Sequence, residues 1–210
     1  MSDRPDAPAA VRNRDAILQV LRHELEGELK VLEIGSGTGQ HAIHFAKGLP
    51  GLTWQTSDRV QNHGGIRQWI ASSGLANVLD PILLDVSVSA DSADLDTGYD
   101  AIFSANTAHI MSADSVVDMV DLVGGLLTQK GRFLLYGPFR VDHQFSTESN
   151  RRFDESLKAQ DPAMGIRDLE WIDALAARHN LARVMTYAMP ANNMLLVWEK
   201  GGEDNGDDSS

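Results

Sequence analysis

Three alternating glycines, Gly35, Gly37 and Gly39, follow a short apolar run that carries an acid, Glu33, near its end. A residue without Cβ lets the backbone turn at positive φ and lets a ligand approach the main-chain amides closely. A helical pattern of apolar residues starts directly behind the bend, and the first N–H groups of a helix have no partner inside it. Amides converging on one spot, with Ser36 inside the bend, suit a nucleotide-type cofactor. Asp58 and Asp85 close the next two apolar runs. A carboxylate in the position of Asp58 can accept hydrogen bonds from both hydroxyls of a ribose. Taken singly, such acids also serve as helix caps, turn residues or partners of a helix dipole. Three of them at three successive strand ends are hard to explain as caps alone.

Spacing narrows the cofactor. A dinucleotide-binding oxidoreductase needs G-x-G-x-x-G, the third glycine permitting close helix–strand packing, and that position here is Gln40. A phosphate-binding loop of the Walker kind needs Gly-Lys followed by Ser or Thr, which is absent.

To position these groups, strands must end at the acids and helices must begin behind them. Apolar periodicity predicts a first helix that starts after Asn13 and stops at Gly27, then a strand over residues 30–34 and a helix over 38–47. A second strand over 52–55 leads to Asp58, and a helix covers 65–73. A third strand spans 81–86, a fourth 99–105 and a fifth 131–136, with a helix over 113–127 between the last two. Residues 87–98 read as loop or weak helix, and 142–168 as irregular with a helical piece over 150–159. A helix over 169–179 precedes two strands, 182–188 and 194–198, joined by a tight turn. Alternating strands and helices specify an α/β fold with a parallel sheet, to which the terminal hairpin adds one antiparallel strand.

The 210 residues suffice for one domain with a substantial core, and 42% hydrophobic with 23% charged residues is ordinary for a globular chain. A net charge of −12 repels a phosphate backbone, so no nucleic-acid partner is expected. The absence of cysteine excludes disulfides, thiolate metal sites and a cysteine nucleophile. No apolar run approaches the ~18 residues that span a bilayer, and the first ten residues have no signal-peptide core. These features point to a cytoplasmic protein that needs no membrane. The expected organisation is a flexible N-terminus over 1–11, one domain over 12–200 and a disordered acidic tail over 201–210, which holds Glu203, Asp204, Asp207 and Asp208. His41 and His44 have a spacing that could hold a metal, but no third ligand accompanies them, so no metal site is expected.

The E-x-G-x-G-x-G spacing resembles motif I of class I S-adenosylmethionine-dependent methyltransferases, and the terminal hairpin resembles their antiparallel seventh strand. That resemblance implies a three-layer Rossmann-like sheet of seven strands in the order 3-2-1-4-5-7-6. It places Glu33, Gly35, Ser36, Gly37, Gly39, Asp58, Asp85, Val86, Ala105 and Asn106 around S-adenosyl-L-methionine, with S-adenosyl-L-homocysteine as product. Asp85 would meet the adenine amino group, and Ala105-Asn106 would lie beside the methionine portion. More narrowly, Arg12-Asn13, Gly39-Gln40-His41, Asn106-Thr107-Ala108-His109, Tyr136-Gly137-Pro138, Ser149-Asn150 and Met189-Pro190-Ala191-Asn192-Asn193 resemble the family that contains the animal methyltransferase-like protein twenty-six. Two positions depart from that family's pattern: Met164 stands where Trp is frequent, and residues 87–98 hold no Trp.

Methyl transfer from a sulfonium is an in-line displacement that needs a base only when the nucleophile arrives protonated. His109, past the fourth strand, is the candidate base, with a packing histidine as the alternative. Tyr136, ending the fifth strand, could orient a substrate through its hydroxyl, or be a core tyrosine. Arg12, Asn13, Asn150, Arg167 and Asn192 are candidate contacts to a small polar substrate, since amides both donate and accept and guanidinium grips a carboxylate. Arg167 could instead pair locally with Asp168 or Glu170. The reading is a methyltransferase acting on a small molecule, as a monomer or homodimer. Its alternatives are a cofactor-binding regulatory protein without turnover and an NAD-type oxidoreductase.

Overall fold

A computed structural model describes residues 4–88 and 95–202. Lys30–Ile34 (β1), Thr53–Asp58 (β2), Val78–Leu83 (β3), Tyr99–Ala105 (β4) and Leu127–Gly137 (β5) run parallel. Leu181–Met189 (β9) and Asn193–Lys200 (β10) form the terminal hairpin, and β10 lies antiparallel to both β5 and β9. The order β3-β2-β1-β4-β5-β10-β9 is the seven-strand arrangement expected from the sequence.

Helices cover both faces because the central strands are apolar on both. Pro8–Glu24 (α1), Gln40–Gly48 (α2) and Val60–Ser73 (α3) lie on one side, where Ile17, Leu21, Phe45 and Trp54 pack with Val31, Ala101 and Phe103. Ala113–Leu126 (α4) and Leu169–Ala177 (α6) lie on the other, where Val116, Val120 and Ile172 pack with Leu32, Ile34 and Ile102. Successive residues of β1 and β4 thus feed opposite cores, as the two-residue strand period requires.

Several boundaries differ from the sequence reading. Pro8 opens α1 at its first turn, where a missing N–H and a fixed φ favour a helix start. Residues 8–11, expected to be flexible, are therefore helical. Helix α3 begins five residues early, running through Gly64-Gly65 despite their poor propensity. Strand β3 ends at Leu83, so Asp85 lies beyond it rather than at its end. Pro81 is tolerated there because β3 is an edge strand. A small second sheet escaped the sequence reading: Phe139–Val141 (β6), Gln144–Phe145 (β7) and Arg167–Asp168 (β8), in the order β7-β6-β8. Its strands are too short to show a period. Glu148–Gln160 (α5) follows β7. The acidic segment 203–210 and residues 89–94 of the expected loop lie outside the described residues.

Candidate functional site

Strand order reverses between β1 and β4, and a ligand crevice opens at the carboxyl ends of strands where such a reversal occurs. A cleft of about 490 Å³ occupies that place. Gly35 and Gly37 reach it from the loop after β1, Asp58 from β2, Asp85 and Val86 from beyond β3, and Ala105 and Asn106 from β4. Seven residues singled out in the sequence thus share one cavity. A larger open depression of about 640 Å³, beside Glu24, Lys130 and Arg132, holds none of them.

The loop is built by its own backbone and by β2. The amides of Gly35 and Ser36 both donate to the Ser57 carbonyl, at 3.1 and 2.9 Å. Ser36 Oγ accepts the Ser57 amide in return. Gly35 has φ of 75°, and an added Cβ would fall 2.8 Å from Thr107 Cγ2, so two requirements select glycine there. Gly37 (φ 59°) faces open space. Gly39 caps α2 and packs against Ile66 and Trp69 of α3.

Glu33, Ser36 and Gly39 therefore support the loop and do not line the cleft. Glu33 is 2% exposed, and its Oε2 accepts the Trp54 indole N–H at 3.1 Å. Burial pushes its carboxyl up to about 7, against the lowering effect of bonds from Trp54 and Ser36.

The acids differ in what they hold. Asp58 Oδ2 accepts the Gly37 amide at 2.7 Å, while Oδ1 accepts the Arg59 amide and the Asn62 side chain at 2.7 and 2.8 Å. Three of roughly four lone-pair positions on this carboxylate are engaged. Asp85 Oδ1 accepts the amide and hydroxyl of Ser87, a turn geometry, while the residue still borders the cleft.

Neither candidate catalytic side chain lines the cavity. His109 is 6% exposed, packs edge-on to Phe153 of α5 at 5.4 Å, and lies against Gly137. Burial, assisted by the Arg167 cation, holds its pKa down to about 4 and keeps the ring neutral. Tyr136 is 2% exposed, and its hydroxyl, pushed up by burial, meets the Asn13 and Asn193 side chains. It has the surroundings of a core tyrosine.

The five candidate substrate contacts are not gathered around the cleft either. Arg12 is exposed on α1. Asn13 Oδ1 accepts from His41 Nε2 at 2.7 Å. Asn150 Nδ2 donates to the Asn192 carbonyl at 3.2 Å, tying α5 to the hairpin turn. Asn192 itself adopts φ of 58° within that turn. Arg167 pairs with neither Asp168 nor Glu170. Its guanidinium donates to the carbonyls of Ala108, Met111 and Ala163, while Asp168 pairs with Arg140 at 2.7 Å. His41 and His44 face separate partners, Asn13 and Asp15.

Sequence reasoning missed Asn62, Thr107, Ile110, Met111, Ser112 and Ser115, all of which line the cleft. Asn62 alone carried a signal, being one helical turn beyond Asp58. The others follow β4 in a segment whose facing depends on α4.

The fold is shared with solved methyltransferases. An O-methyltransferase family protein from Burkholderia thailandensis superposes with a TM-score of 0.74 at 15% identity, over 91% of this chain and 59% of that one. Human N-acetylserotonin methyltransferase, solved with S-adenosylmethionine, gives 0.77 at 13% identity, over 92% and 53%. The YcgJ protein of Bacillus subtilis gives 0.69 at 16% identity, over 91% and 99%. The chain thus spans between half and three-fifths of the length of the two named methyltransferases. At these identities the likeness is one of fold. Among the described residues, no helix is long and apolar enough to cross a membrane. A family described as "Protein of unknown function (DUF938)" matches residues 4–200, nearly the whole chain, and the protein belongs to it.

Proposed function

We propose that this protein binds S-adenosyl-L-methionine in the cleft after β1 and transfers its methyl group to a small polar molecule, releasing S-adenosyl-L-homocysteine. The observation that carries this reading is the convergence of Gly35, Gly37, Asp58, Asp85 and Asn106 on one cavity at the strand-order reversal. Its volume of about 490 Å³ lies within the ~300–1,000 Å³ typical of small-ligand sites. Neighbours of the same fold described as S-adenosylmethionine-dependent, or solved with S-adenosylhomocysteine, support it.

The residues present fit the group. Gly37 offers a surface with no side chain, and Asp58, already oriented by three donors, presents a remaining acceptor position to a ribose hydroxyl. Asp85 and Val86 would border the adenine, and Ala105 and Asn106 the methionine end. The bound cofactor would supply an electrophilic methyl on a sulfonium. The chain's part is to align the acceptor and exclude water, worth ~7–11 kcal/mol in well-oriented cases. Cytoplasmic location, action as monomer or homodimer, and kinship with methyltransferase-like protein twenty-six complete the proposal. Titration calorimetry tests it. Gly37→Arg should abolish S-adenosylmethionine binding seen in the wild type, and unchanged affinity would sink the site assignment.

One observation favours a second reading, a cofactor-binding regulatory protein without turnover. His109 and Tyr136 are both buried and neither borders the cleft. Release of S-adenosylhomocysteine across a broad metabolite panel would decide for the enzyme.

A further inference from the structure

Gln40 stands where a dinucleotide-binding fold carries its third glycine, and the proposed function makes no use of it. The residue is 5% exposed. Its Oε1 accepts the Ala7 amide at 2.6 Å and the Thr38 hydroxyl at 3.0 Å, while its Nε2 donates to Asp6 Oδ1 at 2.7 Å. The chain segment that supplies Asp6 and Ala7 is anchored at every one of its residues. Arg4 donates to Ser72 Oγ at 2.6 Å and holds its guanidinium 4.1 Å over the Trp69 ring. Pro5 accepts the Trp69 indole N–H at 2.9 Å and packs so tightly on Gly65 that an added Cβ there would lie 2.6 Å from its ring. These residues thus bridge α3 and the start of α2.

We infer that residues 4–7 form a clasp on the glycine loop and that Gln40 is the positioning residue through which the clasp acts. The route is short. Thr38 sits between Gly37, which lines the cleft, and Gly39, and its hydroxyl shares Gln40 Oε1 with the clasp. Trp69, which anchors Arg4 and Pro5, also packs on Gly39. One side chain must therefore accept from Ala7 and Thr38 while donating to Asp6, and an amide does both. Glutamate at this position would face Asp6 with like charge, and glycine would leave Asp6 and the Ala7 amide without this partner. The family match begins at residue 4, so the clasp lies inside the matched region. A loop held in one arrangement needs less ordering when a ligand arrives, which raises affinity. The clasp thus sets how tightly the cleft holds an adenosyl ligand, a role that rests on the proposed function.

The test uses the full-length protein, with S-adenosylhomocysteine as calorimetric probe and amide hydrogen exchange of the ligand-free protein as an independent readout. Asp6 is exposed, so Asp6→Ala should fold. Asp6→Ala and Gln40→Glu are expected to weaken the probe about tenfold and to speed exchange at residues 37–40, leaving α4 unchanged. Asp6→Asn keeps an oxygen that accepts from Gln40 and should bind as the wild type does. The double variant Asp6→Ala/Gln40→Ala should be no weaker than Gln40→Ala alone, because the one bond Asp6 makes to the loop is already lost with the Gln40 amide. Wild-type affinity in Asp6→Ala overturns the clasp while leaving the cofactor reading intact. If the wild type itself fails to bind the probe, the cofactor reading falls and exchange alone decides. Unaltered exchange at 37–40 then overturns the clasp, and faster exchange upholds its hold on the loop.

Discussion

The carboxylate of Asp58 accepts the amide of Gly37 at 2.7 Å, so the acid that ends β2 is bonded into the loop that ends β1. The same carboxylate holds the Arg59 amide and the Asn62 side chain. Asp58 is therefore a structural part of the loop as well as a proposed ligand contact. Asp58→Ala should cost about 2–3 kcal/mol of stability, since a charged acceptor for three donors is lost. It should also weaken S-adenosylmethionine binding by more than tenfold. Urea unfolding and calorimetry on the same preparation check both, and undiminished stability would contradict the structural role.

Gly35 and Gly37 should answer differently to alanine. Both have positive φ, but only at Gly35 does a Cβ meet a neighbour, Thr107 Cγ2 at 2.8 Å. Thr107 cannot swing aside without cost because its hydroxyl is bonded to Ser104. Gly35→Ala should destabilise by about 1–3 kcal/mol more than Gly37→Ala, the range for overpacking. Thermal unfolding of the pair tests the order.

Two buried groups, Glu33 and His109, and the half-buried His41 set opposing pH dependences. Glu33 is protonated in the folded protein up to about 7 but ionises near 4.5 in the unfolded chain. It releases a proton on unfolding, so its contribution is full below 4.5 and lost as pH rises through 7. His41 and His109 stay neutral in the folded protein down to about 4 but charge near 6.5 when unfolded, burial being the main cause in each. Each takes up a proton on unfolding, so their contributions are full above 6.5 and lost as pH falls towards 4. Near pH 5.5 the three together give a net uptake of about one proton, and stability rises by ~1.4 kcal/mol per pH unit. Glu33→Gln should steepen that slope to about two protons, and His109→Asn should flatten it. Urea midpoints from pH 5 to 6.5 measure it; the opposite order would refute the assignment.

Arg167 should behave as a structural residue. Its guanidinium bonds the carbonyls of Ala108, Met111 and Ala163, bracketing the segment that carries Thr107 and Ile110 to the cleft. Arg167→Ala should lower stability by about 2–4 kcal/mol, because the part-buried carbonyls of Ala108 and Met111 lose a charged donor. Lysine should recover only part of this, lacking a planar fork to reach three acceptors. Chemical denaturation of the two variants distinguishes this from a surface arginine, whose loss would cost little.

The parts of the site legible in the sequence were those specified by local backbone demands. Alternating glycines behind an apolar run mark a bend whatever surrounds it, and acids closing successive strands reach the same sheet end through topology alone. Asp85 shows the limit. It borders the cleft as expected, yet from beyond the end of β3, because an edge strand with Pro81 terminates early. The expected roles of His109, Tyr136 and Arg167 rested on their nearness to motif ends in the sequence. The structure buries His109 against Phe153, meets the Tyr136 hydroxyl with Asn13 and Asn193, and spends Arg167 on carbonyls.

The chain's order of residues determined where the backbone bends after β1 and which seven segments form the strands of the main sheet. Each of these depends on a residue and its immediate neighbours. The tertiary structure alone decided which side chains face the cleft and which are spent on the core. Gln40 finds Asp6 across 34 positions and Arg167 finds Ala108 across 59. The environment of a polar side chain is set by what packs against it, and those partners come from elements that no local pattern brings together.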